Sequence, residues 1–134
     1  AWESSKKVPV SARDISWSVQ PVALPPDPVK SKNSVYEQRY KAGKKIDLQC
    51  LSIANSRLLF MPGELFVEYQ LAARKMRPDL FMAMAAIGDG GPGYIPTAIA
   101  FKQGGYEASD TTGSRLLPEV EGILMTGMSN LLKK

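Results

Sequence analysis

RLLFMPGELFVEYQLAARKMRPDLFMAMAAI, residues 57–87, holds a strand, a sharp turn, a helix and a second strand in one stretch. Arg57 to Met61 is continuously apolar after its first residue, the pattern of a strand covered on both faces. Pro62-Gly63 ends it, and the spacing of Leu65, Tyr69, Ala72 and Met76 predicts a core-facing helix opened by Glu64 and stopped by Pro78. Glu64 and Glu68 in its first turns, and Arg74, Lys75 and Arg77 in its last, match the helix dipole. Leu80 to Ile87 reads as the next strand, although its alanines also suit a helix. The order favours a βαβ-like unit with a buried sheet.

Upstream, Ile46, Leu48 and Cys50 alternate with Asp47, Gln49 and Leu51, the clearest half-buried strand of the chain, and Ala54-Asn55-Ser56 forms a turn into Arg57. Ser34 to Ala42 suits a short helix closed by Gly43. Residues 1–34 read as an extended, irregular arm, because Pro9, Pro21, Pro25, Pro26 and Pro28 forbid long helices. Ile15, Trp17 and Val19 alternate within it, predicting one strand at a sheet edge that packs through Trp17. Downstream, Tyr94 to Thr97 is extended, Thr97 caps a short helix Ala98 to Gln103, and a last helix runs from Pro118 to Lys133 with Val120, Leu124, Met128 and Leu131 as its apolar stripe. The fold class is α/β: a partial mixed sheet of about three strands, a helix after the Pro-Gly-Glu turn and a C-terminal helix. Residues 1–42 form the arm and short helix, and 43–134 the α/β segment.

The 134 residues suit one domain, and 44% hydrophobic residues supply a core. A net charge of +4 comes from scattered lysines with no basic stripe interleaved with aromatics, which argues against nucleic-acid binding. No run approaches a transmembrane segment. No signal peptide is visible, and a start at Ala1 rather than Met reads as a processed or partial chain.

The chain has no histidine and one cysteine. No catalytic triad can be assembled, no closed zinc site can be built from this chain alone, and Cys50, inside an apolar alternation, reads as a buried inert thiol. Glu64 has two readings: an acid stabilised by helix-terminal amides, or a metal ligand or general base held where strand meets helix. Asp89-Gly90-Gly91-Pro92-Gly93-Tyr94 is not a phosphate loop, since Pro92 and Pro96 block the helix such loops need. It is a plain turn or an active-site loop presenting the Tyr94 phenol. Gly104-Gly105-Tyr106-Glu107 combines a helix cap with a packing aromatic. Ser109, Thr111 and Thr112 are loop hydroxyls without a base beside them.

Pro62-Gly63-Glu64-Leu65-Phe66-Val67-Glu68-Tyr69-Gln70-Leu71, then Gly93-Tyr94-Ile95-Pro96-Thr97, then Gly105-Tyr106-Glu107 together resemble the neutral/alkaline non-lysosomal ceramidase-like family, in the C-terminal part of its catalytic region. The resemblance is strong over about a third of the chain. It implies a zinc ion held by two upstream histidines, the glutamate of the Pro-Gly-Glu turn and a tyrosine of the following loop, here Glu64 and Tyr94, with Tyr106 the poorer candidate. It also implies N-acyl amide hydrolysis by metal-activated water, a lipid-like substrate of sphingolipid metabolism, and a secreted or periplasmic location. Both histidines are missing, so the expectation is a C-terminal fragment, inactive alone, whose partner is the missing N-terminal region of the same protein. The rival expectation is a non-catalytic α/β interaction module.

Overall fold

The computed structural model describes residues 3–88, 91–109 and 113–133. In chain order these form β1 (Ile15–Val22), α1 (Val35–Lys41), β2 (Ile46–Ile53), β3 (Ser56–Pro62), β4 (Glu64–Leu65), α2 (Val67–Met76), β5 (Phe81–Gly88), β6 (Tyr94–Ile95), α3 (Ala98–Gln103) and α4 (Val120–Leu132). The main sheet has the order β1-β2-β3-β5, and β4 pairs with β6 in a second, two-stranded sheet. The α/β class, the mixed sheet and the C-terminal helix are those expected, with a fourth strand supplied by β1.

Local chemistry explains the first three strands. The Ala54-Asn55 turn, with Ala54 at φ 48°, folds β2 antiparallel onto β3. β1 lies antiparallel to β2 at the sheet edge, where Pro21 forfeits no ladder donor on its open side. β3 and β5 run parallel, joined through α2, which is the βαβ unit of the 57–87 stretch. Ile46, Leu48, Cys50, Leu59 and Met61 turn to one face and are buried there under α2 and α4. Tyr69 and Ala73 of α2 and Val120, Leu124, Met128 and Leu131 of α4 complete this core. Cys50 is free and buried, and burial raises its thiol pKa.

Cross-element hydrogen bonds lock the layers. The Arg77 guanidinium, at the C-cap of α2 rather than in its last turn, donates to the Leu132 carbonyl (2.7 Å) at the end of α4. Glu121 of α4 accepts from the Ala98 amide (2.6 Å), capping α3 beside Thr97, whose hydroxyl accepts from the Ala100 amide. Part of the N-terminal arm is tied down: Leu24 is buried, Pro26 bridges Leu116, and Asp27 and Ser31 both donate to the Arg115 carbonyl.

Two readings of the sequence are corrected. Glu64 does not open α2, which starts at Val67 after Phe66, because Glu64 and Leu65 are taken into a β-ladder. Nor is β3 fully covered on both faces: Leu59 and Met61 are fully buried, while Leu58 and Phe60 are only partly buried on the face away from α2 and α4.

Candidate functional site

The main sheet's parallel edge ends in an irregularity that creates the site. Between the pairs Phe60–Ala85 and Pro62–Gly88 the register shifts, with one extra residue on β5. Ile87, in that bulge, holds φ 62°, a conformation disfavoured for a β-branched side chain, and its amide donates to the Gly63 carbonyl (2.6 Å). Gly63 itself is at φ 61°, and the chain then reverses away from β3 into β4.

There β4 meets β6 in parallel, and Glu64 stands opposite Tyr94, as Leu65 does opposite Ile95. The Glu64 amide donates to the Gly93 carbonyl (2.8 Å). The approach is possible only between glycines. A Cβ on Gly63 would sit 2.5 Å from the Gly93 oxygen, and a Cβ on Gly91 would overlap the Gly63 backbone nitrogen. The two motifs singled out in the sequence therefore cross at backbone contact, with Glu64 and Tyr94 as neighbours. Asp89 and Gly90 of the glycine loop, and Thr111 and Thr112, lie outside the described residues.

Glu64, Phe66, Glu68, Tyr94 and Glu107 line a cleft of about 360 Å³. The Tyr94 ring packs edge-on against Tyr106, with centroids 5.9 Å apart and planes at 76°. The Glu64 carboxylate beside it, then burial, then Tyr106 and Glu107 all raise the Tyr94 pKa. The phenol therefore keeps its proton through neutral pH and is a hydrogen-bond donor there. Tyr94 also borders a cavity of about 700 Å³ that Tyr36, Arg39 and Arg115 line. The cleft at Tyr94 is thus lined by acids and the adjoining cavity by two arginines.

Sequence reasoning named Glu64 and Tyr94, and the fold brings them together. It did not place Glu107, whose half-buried side chain reaches the same cleft, or Arg39 and Arg115 around the adjoining cavity. Those contacts join segments distant in sequence, and only the Gly-Tyr-Glu motif hinted at Glu107. As a metal centre the donor set is short. Among the described residues no three His, Cys, Asp or Glu side chains cluster as a metal site would need. A carboxylate and a neutral phenol do not meet zinc's demand for three or four strong donors.

No protein-family model matches the sequence, and neither does any curated protein. Among solved structures, neutral ceramidase from Pseudomonas aeruginosa superposes on 87% of this chain with a TM-score of 0.51 and 11% identity. The chain spans 28% of the length of that structure. At this identity the likeness is one of fold.

Proposed function

We propose that this chain is the C-terminal part of a zinc-dependent N-acyl amide hydrolase resembling neutral ceramidase. The observation that carries the reading is the in-register pairing of Glu64 with Tyr94 at the mouth of a cleft. The fold likeness to part of a neutral ceramidase supports it. The zinc would need histidines from outside this chain, with Glu64 and Tyr94 the oxygen donors offered here; this chain's residues alone do not hold it.

Glu64 presents a carboxylate on a backbone pinned by Gly93, so the residue's position is set by the ladder rather than by a flexible loop. Tyr94 presents a protonated phenol, and Tyr106 restrains its ring. A donor held in that way can serve a developing oxyanion as an amide carbonyl is attacked. The cleft and the cavity that Tyr94 borders offer room for an extended substrate.

The test compares the 134-residue chain with the full natural gene product, using a fluorogenic N-acyl amide and metal analysis. The chain alone is expected to hydrolyse nothing and to retain no stoichiometric zinc. The full product is expected to hydrolyse the amide and to retain zinc, and to lose at least about 100-fold in kcat/KM with Glu64→Gln. Turnover by the short chain, or a Glu64→Gln full product with unchanged kcat/KM, would refute the assignment.

A further inference from the structure

The side of the main sheet away from α2 and α4 is mostly apolar across all four strands. The register places Trp17, Leu51, Leu58 and Ala83 in one row and Val19, Gln49, Phe60 and Ala85 in the next, with Ile15, Ile53, Ser56 and Phe81 at one end, so that Gln49 and Ser56 are its polar members. Phe81 is 67% exposed, Trp17 52% and Ile15 50%, whereas Leu48, Leu59 and Met61 on the opposite face are fully buried. The rings of Trp17 and Phe60 pack against each other on it at a tilt of 37°, with centroids 5.2 Å apart. Asp47, at the β1–β2 margin, is the one charged residue among the described positions of these rows and ends. Surfaces of this kind on soluble domains are contact surfaces.

We propose that this face is buried under an apolar layer contributed by another part of the same, longer chain. The choice of occupant rests on the reading above, in which residues 1–134 are part of a larger hydrolase. It draws on the solved chain in which the same fold makes up 28% of the length. A layer packed there would complete a core of which α2 and α4 cover only one side. It would also make the sheet a central rather than an outer layer, holding the Glu64 turn at its end against the rest of the protein.

The experiment uses the full natural product with its native cysteines replaced and one cysteine introduced at a time: Phe81→Cys, Val19→Cys, or Val29→Cys as an exposed control on the N-terminal arm (81% exposed). Maleimide labelling under native conditions is expected to be at least about 100-fold slower at positions 81 and 19 than at 29, with equal rates after denaturation. Labelling at all three positions at the control rate overturns the proposal. A natural product limited to these residues also overturns it. So does a dimer by light scattering that Phe81→Lys converts to monomer, since a second copy is then the occupant. Protection is read without catalysis, so a product that is protected but inactive sinks the hydrolase reading alone. One that is active but unprotected sinks this surface alone.

Discussion

Replacing Gly63 by alanine strikes both the fold and the site, and its cost can be worked from the geometry. Two penalties act. A residue with a Cβ at φ 61° pays about 1–2 kcal/mol for the left-handed conformation. The new methyl would also lie 2.5 Å from the Gly93 oxygen and 2.9 Å from Ile95 Cδ1, so β4 and β6 must separate. Overpacking of this kind costs about 1–3 kcal/mol. Gly43→Ala is the matched control, because Gly43 is at φ 71° with nothing within 4 Å of the added Cβ. Both substitutions also stiffen the unfolded chain, by about 0.4–1 kcal/mol, and that effect cancels in the comparison. Gly63→Ala should therefore cost about 2–5 kcal/mol before that common offset, against about 1–2 for Gly43→Ala. With a urea m-value near 2 kcal/mol/M, its midpoint should fall by about 0.5–1.5 M more than that of Gly43→Ala. The assay is urea unfolding followed by far-UV circular dichroism, with the slope checked for constancy. Equal midpoints for the two variants would refute the claim that the glycine crossing holds Glu64 against Tyr94.

Two further outcomes follow from the same kind of reasoning. Glu121→Ala removes the carboxylate that accepts from the Ala98 amide and should cost about 0.5–2 kcal/mol, with amide exchange faster in α3 than elsewhere; unchanged protection of Ala98 would refute the capping role. The Glu37 carboxylate is held below its ordinary pKa by Lys41 (2.8 Å) and by the Asn33 amide (2.8 Å). A depressed folded-state value means its contribution is complete above the unfolded value of about 4.3 and is lost as pH falls through the lower folded value. Glu37→Gln should therefore flatten the acid limb of stability against pH; parallel limbs for wild type and variant would refute it.

Much of the secondary structure was legible because its causes are local. The alternation of Ile46, Leu48 and Cys50 placed a buried face on β2, and Thr97 capped α3 over the residues expected. The apolar stripe of α4, Val120, Leu124, Met128 and Leu131, is buried as expected, with Gly127 and Leu132 buried beside it, since a helix's period needs only one side to be buried. The helix after the Pro-Gly-Glu turn was placed three residues too early. Glu64 and Leu65 have sequence neighbours that suit a helix, yet their backbone partners lie near residue 94, outside any local window. The face of α2 was also displaced: Tyr69 and Ala73 are buried, while Met76 and Ala72 are only half-buried, because the sheet and α4 together decide which stripe is covered.

By itself, the sequence determined the strand and helix periods, the caps, the turns and the absence of histidine, since each depends on residues a few positions apart or on composition. The tertiary structure alone decided that Glu64 faces Tyr94, that Gly63 and Gly91 must stay without side chains, and that one face of the sheet is left apolar and open. Those facts arise where segments distant in sequence come within van der Waals contact. Backbone pairing and steric overlap between them have no periodic signature in the chain.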